Sequence, residues 1–258
     1  MNRVHLKIME NNLRISTITC VLRISQEIDL ESVYQRLPIS NCYIPYIEYG
    51  SINTPKGFSQ KSLIKKRKKK KKKIFYNQAT LHVVHDGKIM NVKLFNNGRI
   101  QVTGLKVEGQ GANLVKKLLV YFKDFDIINY YTKLIEDKVV LINSDFDIGY
   151  EIDRDNLHEE IINNNIYSSY EPCIYPGVNI KYFININNNC GICECIGFCN
   201  GKGDGNGDGK CKKVTIAVFK SGKVIITGGQ NKDQINEAYR FITNFIQDHK
   251  GCFKPLKP

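Results

Sequence analysis

Two stretches of this chain repeat one another, and that repetition limits what the chain can fold into. Leu94 to Lys106 reads L-F-N-N-G-R-I-Q-V-T-G-L-K, and Val218 to Gln230 reads V-F-K-S-G-K-V-I-I-T-G-G-Q. Phe95, Gly98, Thr103 and Gly104 return as Phe219, Gly222, Thr227 and Gly228, each 124 residues later. A period of that size points to a duplicated half-domain and not to a solenoid of short units. Each copy carries a hairpin signature, in which an apolar run ending in Phe meets a polar-Gly turn and then a β-branched run. A helical pattern follows in both: Leu114, Leu118 and Phe122, with Val115 and Leu119 beside them, and then Ile235, Ala238, Tyr239, Ile242, Phe245 and Ile246.

The same order of elements precedes each hairpin. Residues 15–24 alternate as a strand, with Ile18, Cys20, Leu22 and Ile24 on one side and Thr17, Thr19, Val21 and Arg23 on the other. Asp29 then opens a short helix that ends before Pro38. In the second copy Val140, Ile142, Ser144, Phe146 and Ile148 alternate with Asn143, Asp145 and Asp147, and a short helix spans residues 157–162. Tyr43-Ile-Pro45 has an apparent partner in Tyr170-Glu-Pro172. Gly104, Gly228 and Gly229 read as turn glycines at strand ends. The expected organisation is a lead-in at 1–13, a first repeat at 14–126 with a basic loop insertion at 51–73, and a connector at 127–138. A second repeat follows at 139–250, with a Cys/Gly-rich insertion at 187–212, and then a tail at 251–258. Helices would cover one face of an antiparallel sheet, and the other face needs polar side chains or a partner.

Bulk properties exclude several classes. The net charge of the 258 residues is +13, but the nine residues from Lys65 to Lys73 are all basic, and without them it is +4. A basic binding face therefore does not follow from charge alone. The run reads either as a solvated loop or as a nucleic-acid or nuclear-import element. No apolar segment approaches the ~18 residues of a membrane span, and the first residues lack a signal-peptide core. Nine cysteines is an odd count, which points to a reducing compartment without a disulfide framework. None of the five histidines sits in a nucleophile motif, and no paired-carboxylate set is present, so an enzyme is not expected.

Five thiols, Cys190, Cys193, Cys195, Cys199 and Cys211, fall within 22 residues. Cys-x-x-Cys is the usual half of a tetrahedral zinc site. The reading offers Cys190, Cys193, Cys199 and Cys211 as ligands, with Cys195 as an alternative to Cys199; a glycine-rich loop without metal stays open beside it. No cofactor is required, and structural zinc is the one candidate. Asp204-Gly-Asn206-Gly-Asp208 copies the start of a calcium loop, but position twelve is Thr215 and strands flank it, so it reads as coincidence.

The motifs Phe95-Asn-Asn-Gly98-Arg-Ile-Gln-Val-Thr103-Gly104, Phe219-Lys-Ser-Gly222-Lys-Val-Ile-Ile-Thr227-Gly228 and Tyr170-Glu-Pro172…Pro176-Gly177 resemble the TATA-box-binding protein family. Its divergent versions in large DNA viruses are the most similar. The resemblance implies an α+β fold: a pseudo-symmetric duplicated saddle, with helices on the convex face of a curved antiparallel sheet. It implies a transcription initiation factor that binds and bends AT-rich double-stranded promoter DNA in the minor groove. Its partners would be an initiation factor resembling transcription factor IIB and RNA polymerase, in the nucleus or a cytoplasmic viral factory. Apolar wedges that kink the duplex are the handhold of this family, itself the standard case of the effect.

Carried over by residue, Phe95 and Phe219 match wedges, and Tyr175 stands where the second half has its other wedge. The first-half equivalent is Glu48 by spacing or Phe75 by chemistry. Thr103 and Thr227 match groove-facing threonines, Ile225 replaces a valine, and Thr17 and Asn143 fall near a central asparagine pair. Lys93 and Gln101 replace apolar floor residues, and Asp145 and Asp147 add carboxylates to the same face. The alternative is the same fold used as a protein-interaction scaffold with lost or altered DNA binding.

Overall fold

The computed structural model describes residues 13–50, 52–59, 75–188 and 190–255; the lysine run 65–73 lies outside them. The chain divides into two compact units, one of residues 17–140 and one of 141–258 together with the residues up to Ser16.

In the first unit the strands are β1 (Arg14–Ile24, whose first three residues belong to the second unit), β2 (Tyr46–Tyr49), β3 (Ile52–Gly57), β4 (Gln78–His85), β5 (Lys88–Phe95) and β6 (Arg99–Leu105). They are ordered β3-β2-β4-β5-β6-β1, and each neighbouring pair is antiparallel. Helix α1 (Leu30–Arg36) begins at Asp29, whose side chain accepts from the Glu31 N–H, and α2 (Gln110–Asp124) follows β6. Alternation places Leu81, Val83, Val92, Leu94, Ile100, Val102, Cys20 and Leu22 on the buried face, with Leu114, Leu118 and Phe122 of α2 also buried. Each such side chain contributes about 2 kcal/mol. Gly111 of α2 lets the helix approach closely: a Cβ there would lie 3.1 Å from Leu105 Cδ1 and 3.3 Å from Cys20 Cβ.

The second unit repeats the plan with β7 (Leu134–Asp147, which enters this unit at Leu141), β8 (Tyr150–Ile152), β9 (Tyr167–Ser169), β10 (Val178–Ile184), β11 (Lys212–Val218) and β12 (Lys223–Gly229). Its main sheet runs β7-β12-β11-β10-β9. Helices α3 (Arg154–Asn163) and α4 (Lys232–Asp248) complete it. Asp153 caps α3 as Asp29 caps α1. Ile235, Ala238, Ile242 and Ile246 of α4 are buried, as are Val214, Ile216, Val224 and Ile226 of the strands. Tyr182 of β10 stacks on Phe241 of α4 at 4.5 Å.

Four details differ from the sequence reading. The stretch 51–73 is not simply a loop, because Ile52–Gly57 forms β3 and pairs with β2. Residues 126–133 are bound to the first unit: Gln26 Oε1 accepts from the Asn129 N–H at 2.8 Å, and Arg36 Nη1 donates to the Asp126 carbonyl at 2.8 Å. β7 accordingly starts at Leu134. The tail includes β13 (Phe253–Pro255), which pairs with β8, and Phe253 lies edge-on to Tyr150 at 5.4 Å.

Gly104 and Gly228 are not turn residues at strand ends. Both have φ of 106° and lie where a ladder slips register, Gly104 between β6 and β1, Gly228 between β12 and β7. They are matching β-bulges, and only glycine adopts that backbone without strain.

Candidate nucleic-acid interface

Register brings specific side chains into rows on the face of each sheet away from the long helices. In the second unit Tyr167, Lys181, Thr215, Thr227 and Asn143 stand opposite one another across five strands. In the first, Tyr46, His82, Asn91, Thr103 and Thr19 do the same. Thr19 Oγ1 donates to Thr103 Oγ1 at 3.3 Å, and Lys181 Nζ donates to Thr215 Oγ1 at 3.0 Å. Partial burial, with Lys213 close by, draws the Lys181 ammonium below its usual range. Asn143 Oδ1 is buried with no hydrogen-bond partner among the described residues. Groups of this kind suit a ligand that offers base-edge acceptors and backbone oxygens.

The rows correct one expectation. Thr103 pairs with Thr19 and Thr227 with Asn143, so the counterpart of Asn143 is Thr19 and not Thr17. The signal was available, because the constant offset of 124 residues carries Asn143 back to position 19.

The next rows carry the departures. Glu48, Thr80, Lys93, Gln101 and Val21 align in the first unit. Ser169, Asn179, Ala217, Ile225 and Asp145 align in the second. Asp145 does not face the sheet bare: Arg14 Nη2 lies 2.8 Å from its Oδ2. Asp147 accepts from the Gly149 N–H at 2.9 Å.

Aromatic groups lie beyond these rows, at the ends of the strands. Phe219 follows β11 and is partly exposed. Its ring lies 5.7 Å from that of Tyr175, which is 37% exposed. Both pack over Gly177, where a Cβ would come within 3.0 Å of Tyr175 Cε1 and 3.2 Å of Phe219 Cε1. A shallow concavity beside Phe219 is lined by Arg14, Asp145, Ser221, Lys223 and Ile225. In the first unit Phe95 ends β5 opposite Gln78.

Register also finds the partner of Tyr175. Tyr175 lies three residues before Val178, which pairs with Val218 ahead of Phe219. Tyr76 lies three residues before Ala79, which pairs with Leu94 ahead of Phe95. Tyr76 is 71% exposed. Glu48 is instead a residue of β2, paired with Thr80 and accepting from the Tyr46 hydroxyl at 3.0 Å. The Tyr-x-Pro match misled here, because ladder register equates Tyr46 of β2 with Tyr167 of β9 and so Tyr49 with Tyr170. Phe75 is exposed one residue before Tyr76.

Away from these rows, the loop between β10 and β11 gathers four thiols. The Sγ atoms of Cys193, Cys195, Cys199 and Cys211 all lie within 4.8 Å of one another. Cys211 is buried, and desolvation, the largest cause, pushes its thiol up to about 12. Cys190, expected as a ligand, is outside the group. It is exposed, its N–H donates to Asn188 Oδ1 at 2.8 Å, and its thiol faces Glu194 at 3.9 Å. Cys195 joins Cys199 and does not replace it.

Two repeats, each with an antiparallel sheet and helices on one face, define the fold class of the TATA-binding proteins: the solved Methanococcus jannaschii TBP superposes with a TM-score of 0.56 at 18% identity, over 92% of this chain and 99% of that one. Residues 137–249 match the family model for transcription factor TFIID, or TATA-binding protein. The TATA-box-binding protein-like protein of Acanthamoeba polyphaga mimivirus is 28% identical over 96% of this chain and 68% of its own length. The TATA-box-binding protein of Saccharomyces cerevisiae is 22% identical over 61% of this chain and 52% of its own, and that of Tetrahymena thermophila 24% over 58% and 47%. The chain thus spans about half the length of these cellular relatives. The chain is thus similar to the TATA-binding proteins over residues 137–249, and to the mimivirus TATA-box-binding protein-like protein along most of its length. Among the described residues no helix is long and apolar enough to cross a membrane.

Proposed function

We propose that this chain is a transcription initiation factor that binds and bends AT-rich promoter duplex through the minor groove, using the open sheet faces. The observation that carries the reading is the partly exposed Tyr175–Phe219 pair, two rows along β11 from Thr215, Thr227 and Asn143. Aromatic groups at that place can enter a base step and unstack it, at a cost of a few kcal/mol that the added contact offsets. The threonine and asparagine side chains meet the minor-groove acceptors, which are nearly the same for A·T and T·A. Sequence preference then comes from deformability more than from base identity. In the first half Tyr76 and Phe95 hold the matching positions. Binding by this face requires no cofactor. The bent complex would recruit an initiation factor resembling transcription factor IIB and RNA polymerase, in the nucleus or a viral factory.

The test is fluorescence energy transfer across an end-labelled AT-rich duplex. Wild type should shorten the end-to-end distance, and Tyr175→Ala with Phe219→Ala should lose the bend and more than tenfold in affinity. A variant that bends the duplex as well as wild type ends the wedge reading. A wild type that binds no duplex favours the scaffold alternative.

A further inference from the structure

The thiol cluster is separate from the sheet rows, and nothing in the DNA-binding reading uses it. We propose that Cys193, Cys195, Cys199 and Cys211 bind one zinc ion as a tetrathiolate that fastens the β10–β11 loop to the sheet of the second unit.

The geometry fits that ion. Zinc–thiolate bonds of about 2.3 Å in a tetrahedron set the sulfurs about 3.8 Å apart. Cys195 Sγ and Cys211 Sγ are 3.3 Å apart, Cys193 Sγ and Cys211 Sγ are 3.7 Å apart, and all four lie within 4.8 Å of one another. Small adjustments of side-chain rotamers centre an ion among them. The sulfurs already have the outer donors that a doubly negative tetrathiolate needs. The Gly209 N–H donates to Cys195 Sγ at 3.1 Å, and Asn185 Nδ2 donates to Cys211 Sγ at 3.3 Å. Such donors spread the charge and orient the ligands. Binding is balanced as four thiols plus Zn²⁺ giving the tetrathiolate and four released protons; no oxidant takes part.

The placement explains the role. Cys211 stands beside the first residue of β11, and Asn185 stands just past the last residue of β10. Asn185 Nδ2 also donates to the Gly207 carbonyl at 2.7 Å, and Gln234 of α4 donates to the Asp204 carbonyl at 3.0 Å. From 186 to 210 the loop has few apolar side chains to bury, and Ile196 and Phe198 are 99% and 89% exposed. A loop of this composition has no core of its own, and a metal supplies the missing cross-link.

The full chain purified without chelator is expected to carry one equivalent of zinc by elemental analysis, with four sulfur neighbours by X-ray absorption. Cobalt(II) exchanged into it should give the visible bands of a tetrahedral thiolate site. Cys195→Ser should lose the bound zinc or weaken it at least tenfold against a chelating dye, and Cys190→Ser should keep it. Should Cys195→Ser fail to fold, the wild-type absorption and cobalt spectra still decide the matter. Zinc below half an equivalent, iron in place of zinc, a Cys195–Cys211 disulfide in freshly purified protein, or equal loss in Cys190→Ser would each overturn the proposal.

Discussion

Arg14 Nη2 lies 2.8 Å from Asp145 Oδ2, so the carboxylate on the row of Ile225 has its own cation. Sequence alone places a bare negative charge there, facing where phosphates would come. The pair is largely exposed, with the Arg14 side chain 74% accessible, so it adds at most about 1 kcal/mol to stability. Its weight is on binding. Arg14→Ala should weaken binding to AT-rich duplex about fivefold at low salt by unmasking Asp145. Asp145→Asn should strengthen it, and the double variant should return to within about twofold of wild type. The differences should shrink as salt rises, because screening acts on exposed charges. Anisotropy titrations at two salt concentrations check this; additive effects of the two changes would refute the coupling.

The paired bulges give a stability prediction. Gly104 and Gly228 share φ of 106°, so alanine at either strains the backbone by about 1–3 kcal/mol. Space separates the two. A Cβ at 228 would meet the Lys213 carbonyl oxygen at 3.1 Å, whereas at 104 the nearest atom is the Met90 sulfur at 3.4 Å. Backbone yields less than a methionine tip. Gly228→Ala should therefore lower Tm more than Gly104→Ala in thermal unfolding, and the reverse order would contradict it.

What the sequence made legible follows from where the two copies keep step. From the hairpins through the helices the offset stays at 124 residues, so Phe95 and Phe219, Thr103 and Thr227 pair by counting. At β4 and β10 it falls to 99, as Ala79 and Val178 show, because the insertion at 51–73 lengthens the first copy ahead of them and the cysteine loop lengthens the second copy after them. Tyr76 was hidden by that change, and by a Tyr-x-Pro string at Tyr43 that drew the alignment elsewhere. Thr19 was legible by the same offset, which carries Asn143 back to it, whereas alternation alone does not choose between Thr17 and Thr19, since a strand shows its face but not its register. The Arg14–Asp145 contact spans 131 residues and has no local pattern to betray it. Among the thiols, spacing offered five candidates, and the distances between sulfurs leave Cys190 out of the group.

Asp29 supplies a pH prediction. Its carboxylate accepts from Ser32 Oγ at 2.7 Å and from the Glu31 N–H at 3.0 Å. The Ser32 hydroxyl, first among the causes, and these backbone donors hold its pKa below the usual carboxylate value. The folded value is depressed, so this contribution is complete above the ordinary carboxylate pKa and fades as pH falls through the folded one. Asp29→Ala should cost about 1 kcal/mol at neutral pH, and Asp29→Asn much less. In a chain this size that is a Tm drop of roughly 2–4 °C. The gap between wild type and Asp29→Asn should close as the buffer is taken to acid. A gap that is constant with pH would show that charge plays no part in the cap.

Gly177 tests the aromatic pair without touching either ring. A methyl group at 177 would come within 3.0 Å of Tyr175 Cε1 and 3.2 Å of Phe219 Cε1, closer than side-chain contacts normally allow. Both rings sit toward solvent, so they can swing aside at little cost to folding. Gly177→Ala should therefore leave Tm within about 2 °C of wild type. It should still reduce duplex bending, because rings set a few tenths of an ångström wrong enter a base step less well. Gly177→Val should reduce bending further. Energy transfer on the labelled duplex reads the bend, and thermal unfolding in parallel reads the fold. Unchanged bending in both variants would mean that the Tyr175–Phe219 geometry does not matter to DNA. A large fall in Tm would instead make Gly177 a residue of the core.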